Sequence, residues 1–142
     1  MKVSVRRVDK VLSLPEYKTA GAAAMDCIVR EDIEISPKTV GMVPLNVALK
    51  PPQGHFVLLA ARSSLHKRGL MMANGIGIGD EDFSGDNDEY QAALYNFTDA
   101  PVVLKKGDRI VQMIILPFDR VEWNEVDSLG GPDRKGFGTT GI

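Results

Sequence analysis

Residues 75–97 read GIGIGDEDFSGDNDEYQAALYNF, and their assignment decides between a helical calcium-binding protein and an all-β one. Asp80, Asp82, Ser84 and Gly85 fall at positions one, three, five and six of an EF-hand loop. Position twelve of that loop is Gln91, which lacks the bidentate carboxylate, and the flanks GIGIG and YQAALYNF alternate like strands. Two strands around a turn-rich tip at 85–88 account for more of the stretch, and predict a hairpin with Asp80 where its first strand ends. The six carboxylates packed into 80–89 read either as a solvated acidic loop or as holding one catalytic carboxylate at a strand end. Gly75, Gly77 and Gly79 interleave with Ile76 and Ile78, so one face of the first strand carries no side chains. Such a face either packs tightly against a neighbour or lets a flat ligand reach backbone N–H and C=O groups.

The same period-two rhythm, broken by Gly, Pro and Asp at roughly ten-residue spacing, extends over most of the chain and predicts an all-β sandwich or barrel. Segments 3–8, 25–30, 40–49, 55–61, 76–78, 90–97, 109–116 and 120–126 read as strands. SPKT, KPPQG, TDAP and KKGD between them are turn chemistry. SSLHKRGL is the one helical candidate, of a turn or two, which Ser63 or Ser64 caps and Gly69 ends. No repeat or linker divides the chain, so 1–142 reads as one domain: a β core over 1–129 and a glycine-rich arm over 130–142.

A length of 142 residues suits a single core, and a formal charge of −2 argues against a broad electropositive face. No nucleic-acid or membrane partner is therefore expected, and an anionic ligand must be met by local cations. Cys27 is the only cysteine, and the two histidines lack thiol partners for a zinc set. MKVSVRRVDKVL has no signal-peptide apolar stretch, and no run approaches the ~20 apolar residues of a membrane span. A soluble, cytoplasmic protein is the expectation.

The arm carries five glycines between Gly130 and Gly141. Its Arg134 and Lys135 bring cationic donors, its glycines bring backbone N–H groups, and Thr139 and Thr140 bring hydroxyls, which together suit phosphate. Phe137 stands where a Walker A loop needs lysine, so the arm is no P-loop. Isolated between Gly136 and Gly138, Phe137 suits stacking over a base.

AGAAAMDC, ARSSLHKRGL, NGIGIGDEDFSG, GDRIVQMI and DRKGFGTTG occur in the order and at about the separations of the five motifs of the trimeric dUTPases, which the chain resembles from near residue 19 to its end. The resemblance implies a distorted jelly-roll, or β-clip, barrel that assembles as a homotrimer with an exchanged C-terminal arm and active sites at subunit interfaces. It implies hydrolysis of dUTP to dUMP and pyrophosphate, with water attacking the α-phosphorus, Mg2+ bridging the phosphates, and the arm closing over the bound nucleotide. By position, Asp80 matches the general base. Arg62, Ser63, Ser64 and Gln112 match phosphate-side residues, and Asn74, with the strand residues Ile78 and Gly79, matches the uracil side. Asp26 matches the aspartate that holds the metal through water. Arg134, Phe137, Gly138 and Thr139 match the arm residues that grip the terminal phosphates and cover the base.

There are departures from the pattern. Phe83 stands where the family usually has a tyrosine under the deoxyribose; its ring face remains to clash with a ribose 2′-hydroxyl. Lys135 replaces a usual glycine, Ala24-Met25 replace Gly-Tyr, and the tip GDNDEY is longer by about three residues. A dCTP deaminase of the same fold is the alternative enzyme. It needs a glutamate where this chain has Ala93 and an arginine where it has Lys67. A non-enzymatic, nucleotide-sensing trimer is the alternative of a different class.

Overall fold

Short aliphatic and β-branched runs, each bounded by Gly, Pro or Asp, build the framework. The structure, a computed structural model, describes residues 1–134 and residue 136. Among these residues the strands are β1 Ser4–Arg7, β2 Met25–Ile28, β3 Ile33–Ile35, β4 Val40–Pro44, β5 Val47–Lys50, β6 His55–Ala61, β7 Leu70–Met72, β8 Gly77–Gly79, β9 Gln91–Asn96, β10 Val102–Leu104 and β11 Arg109–Pro117. They form a four-stranded sheet ordered β2-β11-β6-β8, a three-stranded sheet β4-β9-β7, and the pairs β1-β5 and β10-β3. All of these pairings are antiparallel.

β11 is the spine of the larger sheet, paired with β6 from Val111↔Ala61 to Pro117↔His55 and with β2 on its other side. Val29, Val43, Val57, Leu94, Leu104 and Val111 are fully buried in the single core that the sheets enclose. Each such side chain contributes ~1.5–3 kcal/mol relative to exposure, which makes this core the main source of stability.

The all-β expectation holds, but several details differ. Segment 40–49 is two strands, because Asn46 adopts a left-handed conformation, φ 69°, at the break. Asn46 is buried there as a staple: its Oδ1 accepts from Asp9 N at 2.7 Å and its Nδ2 donates to Asp9 O at 3.0 Å. Segment 120–126 is not a strand. It runs along the surface with Val121 and Trp123 68% and 92% exposed, and no sheet edge among the described residues pairs with it. SSLHKRGL forms a single 3-10 turn, Leu65–Arg68, ended by Gly69 in the left-handed region.

The predicted hairpin is also corrected. β8 pairs with β6, while β9 pairs with β4 and β7 in the other sheet, so the two strands flanking the acidic tip are not partners. The tip bridges two sheets, and it is less solvated than its composition suggests. Glu89 Oε1 accepts from Arg30 Nε at 2.8 Å and from Asn46 N at 2.9 Å, and Glu81 Oε2 accepts from Gly54 N at 3.1 Å.

Candidate active site

The site residues fall into two groups at opposite edges of the β2-β11-β6-β8 sheet. On the β2 side, antiparallel pairing sets Asp26 opposite Gln112. Asp26 is 7% exposed, and its two oxygens are taken by two cations: Arg62 Nε lies 3.0 Å from Oδ1 and Arg109 Nη1 lies 3.3 Å from Oδ2. Arg62 Nη1 donates to Arg109 O at 2.9 Å, and Gln112 Nε2 donates to Ala61 O at 3.0 Å. A register shift between Arg109 and Gln112 in the β11–β2 ladder accompanies this arrangement, as bulges do where a side chain is re-aimed. Ser63 and Ser64 lie exposed in the turn leaving β6. Ser64 takes the N-cap position of the 3-10 turn, as one of the two expected serines, but its side chain makes no capping bond, and no hydrogen bond among the described residues consumes its hydroxyl.

The result is an electropositive corner with one internal carboxylate, suited to phosphate oxygens. Among the described residues no three His, Cys, Asp or Glu side chains converge. Because both Asp26 oxygens already face guanidinium groups, neither is free to ligate a metal directly, and a cation would reach this carboxylate only through water beside bound phosphate.

On the β8 side, Asn74, Ile78, Gly79, Asp80 and Phe83 line one groove of about 370 Å³ together with Met42, Leu59, Gly77, Glu89, Tyr90 and Gln91. Asp80 follows Gly79 directly at the end of β8, exposed, as the sequence predicts. Gly75, φ 72°, makes the turn that presents Asn74. The bare face of β8 is filled by protein: a β-carbon at Gly77 would lie 3.1 Å from Leu59 Cβ, and one at Gly79 would lie 2.4 Å from Tyr90 Cε1. Tight packing is thus the reason for these glycines, with the groove opening beside them.

Within one chain the groups do not meet. Three strand-to-strand steps of ~4.8 Å and about four residues of ~3.3 Å along β6 separate Asp26 from Asp80, on the order of 20 Å. Arg134 is exposed, and the bonds among the described residues tie it to neither group. Phe137, Gly138 and Thr139 lie outside the described residues.

Sequence reasoning missed Arg109 and Tyr90. Arg109 read only as the first residue of the strand segment 109–116, since its approach to Asp26 depends on β11 lying beside β2. Tyr90 read as the start of a strand, and no local pattern signals that its ring lies on Gly79.

Comparison with known proteins identifies the family. A family model described as dUTPase matches residues 10–141. The deoxyuridine 5′-triphosphate nucleotidohydrolase of Dictyoglomus turgidum is 36% identical, covering 100% of this chain and 99% of its own. That of Anaeromyxobacter sp. is 39% identical over 98% of this chain and 97% of its own. Among solved structures, the dUTPase from Streptococcus mutans matches with a TM-score of 0.76 and 32% identity, over 84% of this chain and 98% of that one. The Staphylococcus bacteriophage 80alpha dUTPase with dUPNHPP matches over 99% of both chains with a TM-score of 0.87; at 21% identity this is a likeness of fold.

Proposed function

The chain belongs to the dUTPase family, and from that premise we propose that it hydrolyses dUTP to dUMP and pyrophosphate by water attack on the α-phosphorus, with Asp80 as the general base. The observation that carries this reading is the groove at the end of β8, where Asn74, Ile78, Gly79, Phe83 and Asp80 converge in a chain that matches the family from residue 10 to 141. Asn74 and the backbone at Ile78 and Gly79 hold the uracil, and the Phe83 ring lies under the deoxyribose. Asp80, solvent-accessible and on the rim, orients a water molecule and takes its proton as the oxygen–phosphorus bond forms. Arg62, Ser63, Ser64 and Gln112 bind the phosphates and stabilise charge on the departing pyrophosphate. Asp26 would hold Mg2+ through water beside the bound triphosphate, where the ion would supply further charge neutralisation.

The separation of the two groups supports a shared site. A nucleotide seated in the β8 groove cannot lay its phosphates on the Asp26–Arg62 corner of the same chain, so that corner comes from another copy, in a homotrimer. Arg134, Phe137, Gly138 and Thr139 on the arm grip the terminal phosphates and cover the base. The protein acts in the cytoplasm, with dUTP as its substrate and no nucleic-acid or membrane partner.

Pyrophosphate release from dUTP, dCTP, dTTP and UTP tests the reading. Turnover is expected for dUTP above the other three; ammonia release from dCTP, or no turnover of dUTP, refutes it. Truncation before Gly130 should leave the β core folded and lower kcat/KM on the order of 10²-fold, the scale of losing substrate positioning. Unchanged kinetics in the truncated protein would remove the arm from the site.

A further inference from the structure

Tyr90 is 3% exposed, and its hydroxyl is buried without a hydrogen-bond partner among the described residues. Leaving a buried hydroxyl unpaired is unfavourable, so the hydroxyl itself does not account for this residue. Its surroundings do. A β-carbon on Gly79 would lie 2.4 Å from Tyr90 Cε1 and 2.5 Å from its hydroxyl, so the ring occupies the volume that a side chain at 79 would need. It also meets Phe83 edge to face, with centroids 5.2 Å apart and planes at 89°. Burial, reinforced by Asp80 and Asp88, pushes the Tyr90 phenol up to about 12.

Phe83 needs such a contact. It sits 38% exposed in a turn closed by Phe83 N donating to Asp80 O at 3.1 Å and Ser84 N donating to Asp82 O at 2.9 Å. Without a hydroxyl, its ring has no hydrogen bond to hold its orientation, and Tyr90 is its one ring contact among the described residues. Tyr90 itself is fixed to the framework: its N–H donates to Val47 O and its carbonyl accepts from Leu45 N, both at 2.9 Å. The preceding Glu89 is tied to Arg30 and Asn46.

We propose that Tyr90 is a positioning residue for sugar selection, a wedge between Gly79 and Phe83 that holds the Phe83 ring where it excludes a ribose 2′-hydroxyl. The inference rests on the reading of this groove as the dUTP site. The ring performs the task, because a residue buried in the sheet framework can transmit its rigidity to an exposed turn only through the face it presents.

The test is the ratio of kcat/KM for dUTP to that for UTP in wild type, Tyr90→Phe and Tyr90→Leu, with thermal unfolding measured for each. Tyr90→Phe keeps the wedge and should hold the ratio within about twofold, at equal or higher Tm. Tyr90→Leu should lower the ratio about three- to tenfold, on the scale of a lost aromatic contact. A ratio unchanged in Tyr90→Leu while both activities fall would show a merely structural residue and overturn the proposal. So would a collapse of the ratio in Tyr90→Phe, which would transfer the role to the hydroxyl, or failure of both Tyr90→Leu and Tyr90→Met to fold. Calorimetric affinities for non-hydrolysable dUTP and UTP analogues give the same ratio without turnover. Absence of dUTP hydrolysis by wild type, with the analogue ratio preserved, would refute the catalytic reading and leave the wedge standing.

Discussion

Asp80→Asn is expected to lower kcat for dUTP by ~10³-fold, within the ~10²–10⁴ range for loss of a positioned base, with KM changed by only a few-fold. Asparagine keeps the shape of the side chain and its capacity to hydrogen-bond a water molecule, but it cannot accept the proton. Asp80 is exposed at the end of β8, and no hydrogen bond or ion pair to its carboxylate supports the fold among the described residues. The substitution should therefore leave Tm within about 2 °C, as for surface changes generally. Single-turnover measurement separates chemistry from product release. If kcat is unchanged, Asp80 is not the base. If KM rises strongly at constant kcat, its role is substrate binding.

Asp80 was legible because its position is a local matter: the Gly/Ile alternation marks a strand, and the strand ends where the acids begin. The partner of that strand was not legible. A turn-rich tip between two alternating segments looks alike whether the strands pair with each other or with others, and the choice made here depends on β6 and β4, distant in sequence. β3, β7 and β10, three residues each, are too short to establish a period. Segment 120–126 shows the reverse case, since Val121 and Trp123 alternate as in a strand but find no edge within the described chain. The phosphate-side corner needed the same nonlocal information. Arg62 and Gln112 were nameable from motifs, whereas Arg109 joined them only when strand order placed β11 between β2 and β6.

Asp26 joins these two levels, and its replacement should be felt at both. In Asp26→Ala the guanidinium groups of Arg62 and Arg109, now 3.0 and 3.3 Å from its oxygens, lose their common counter-charge and confront each other. Breaking a fully buried pair costs ~3–5 kcal/mol. The arginine side chains are 30% and 41% exposed and partly screened by water, so about 2–3 kcal/mol is expected here. For a chain of this size that corresponds to a fall in Tm of roughly 6–12 °C. Asp26→Asn, which keeps the volume and one acceptor, should lose less stability yet still lack the charge that attracts a hydrated cation. Comparing the two below their unfolding temperatures separates support from chemistry. If Asp26 serves the metal as well as the arginines, Asp26→Asn shifts the magnesium concentration for half-maximal dUTP turnover upward by about tenfold, on the scale of losing an outer-shell partner. If that concentration is unchanged while Tm falls, Asp26 is a brace for Arg62 and Arg109 alone, and the metal is held by phosphate without it.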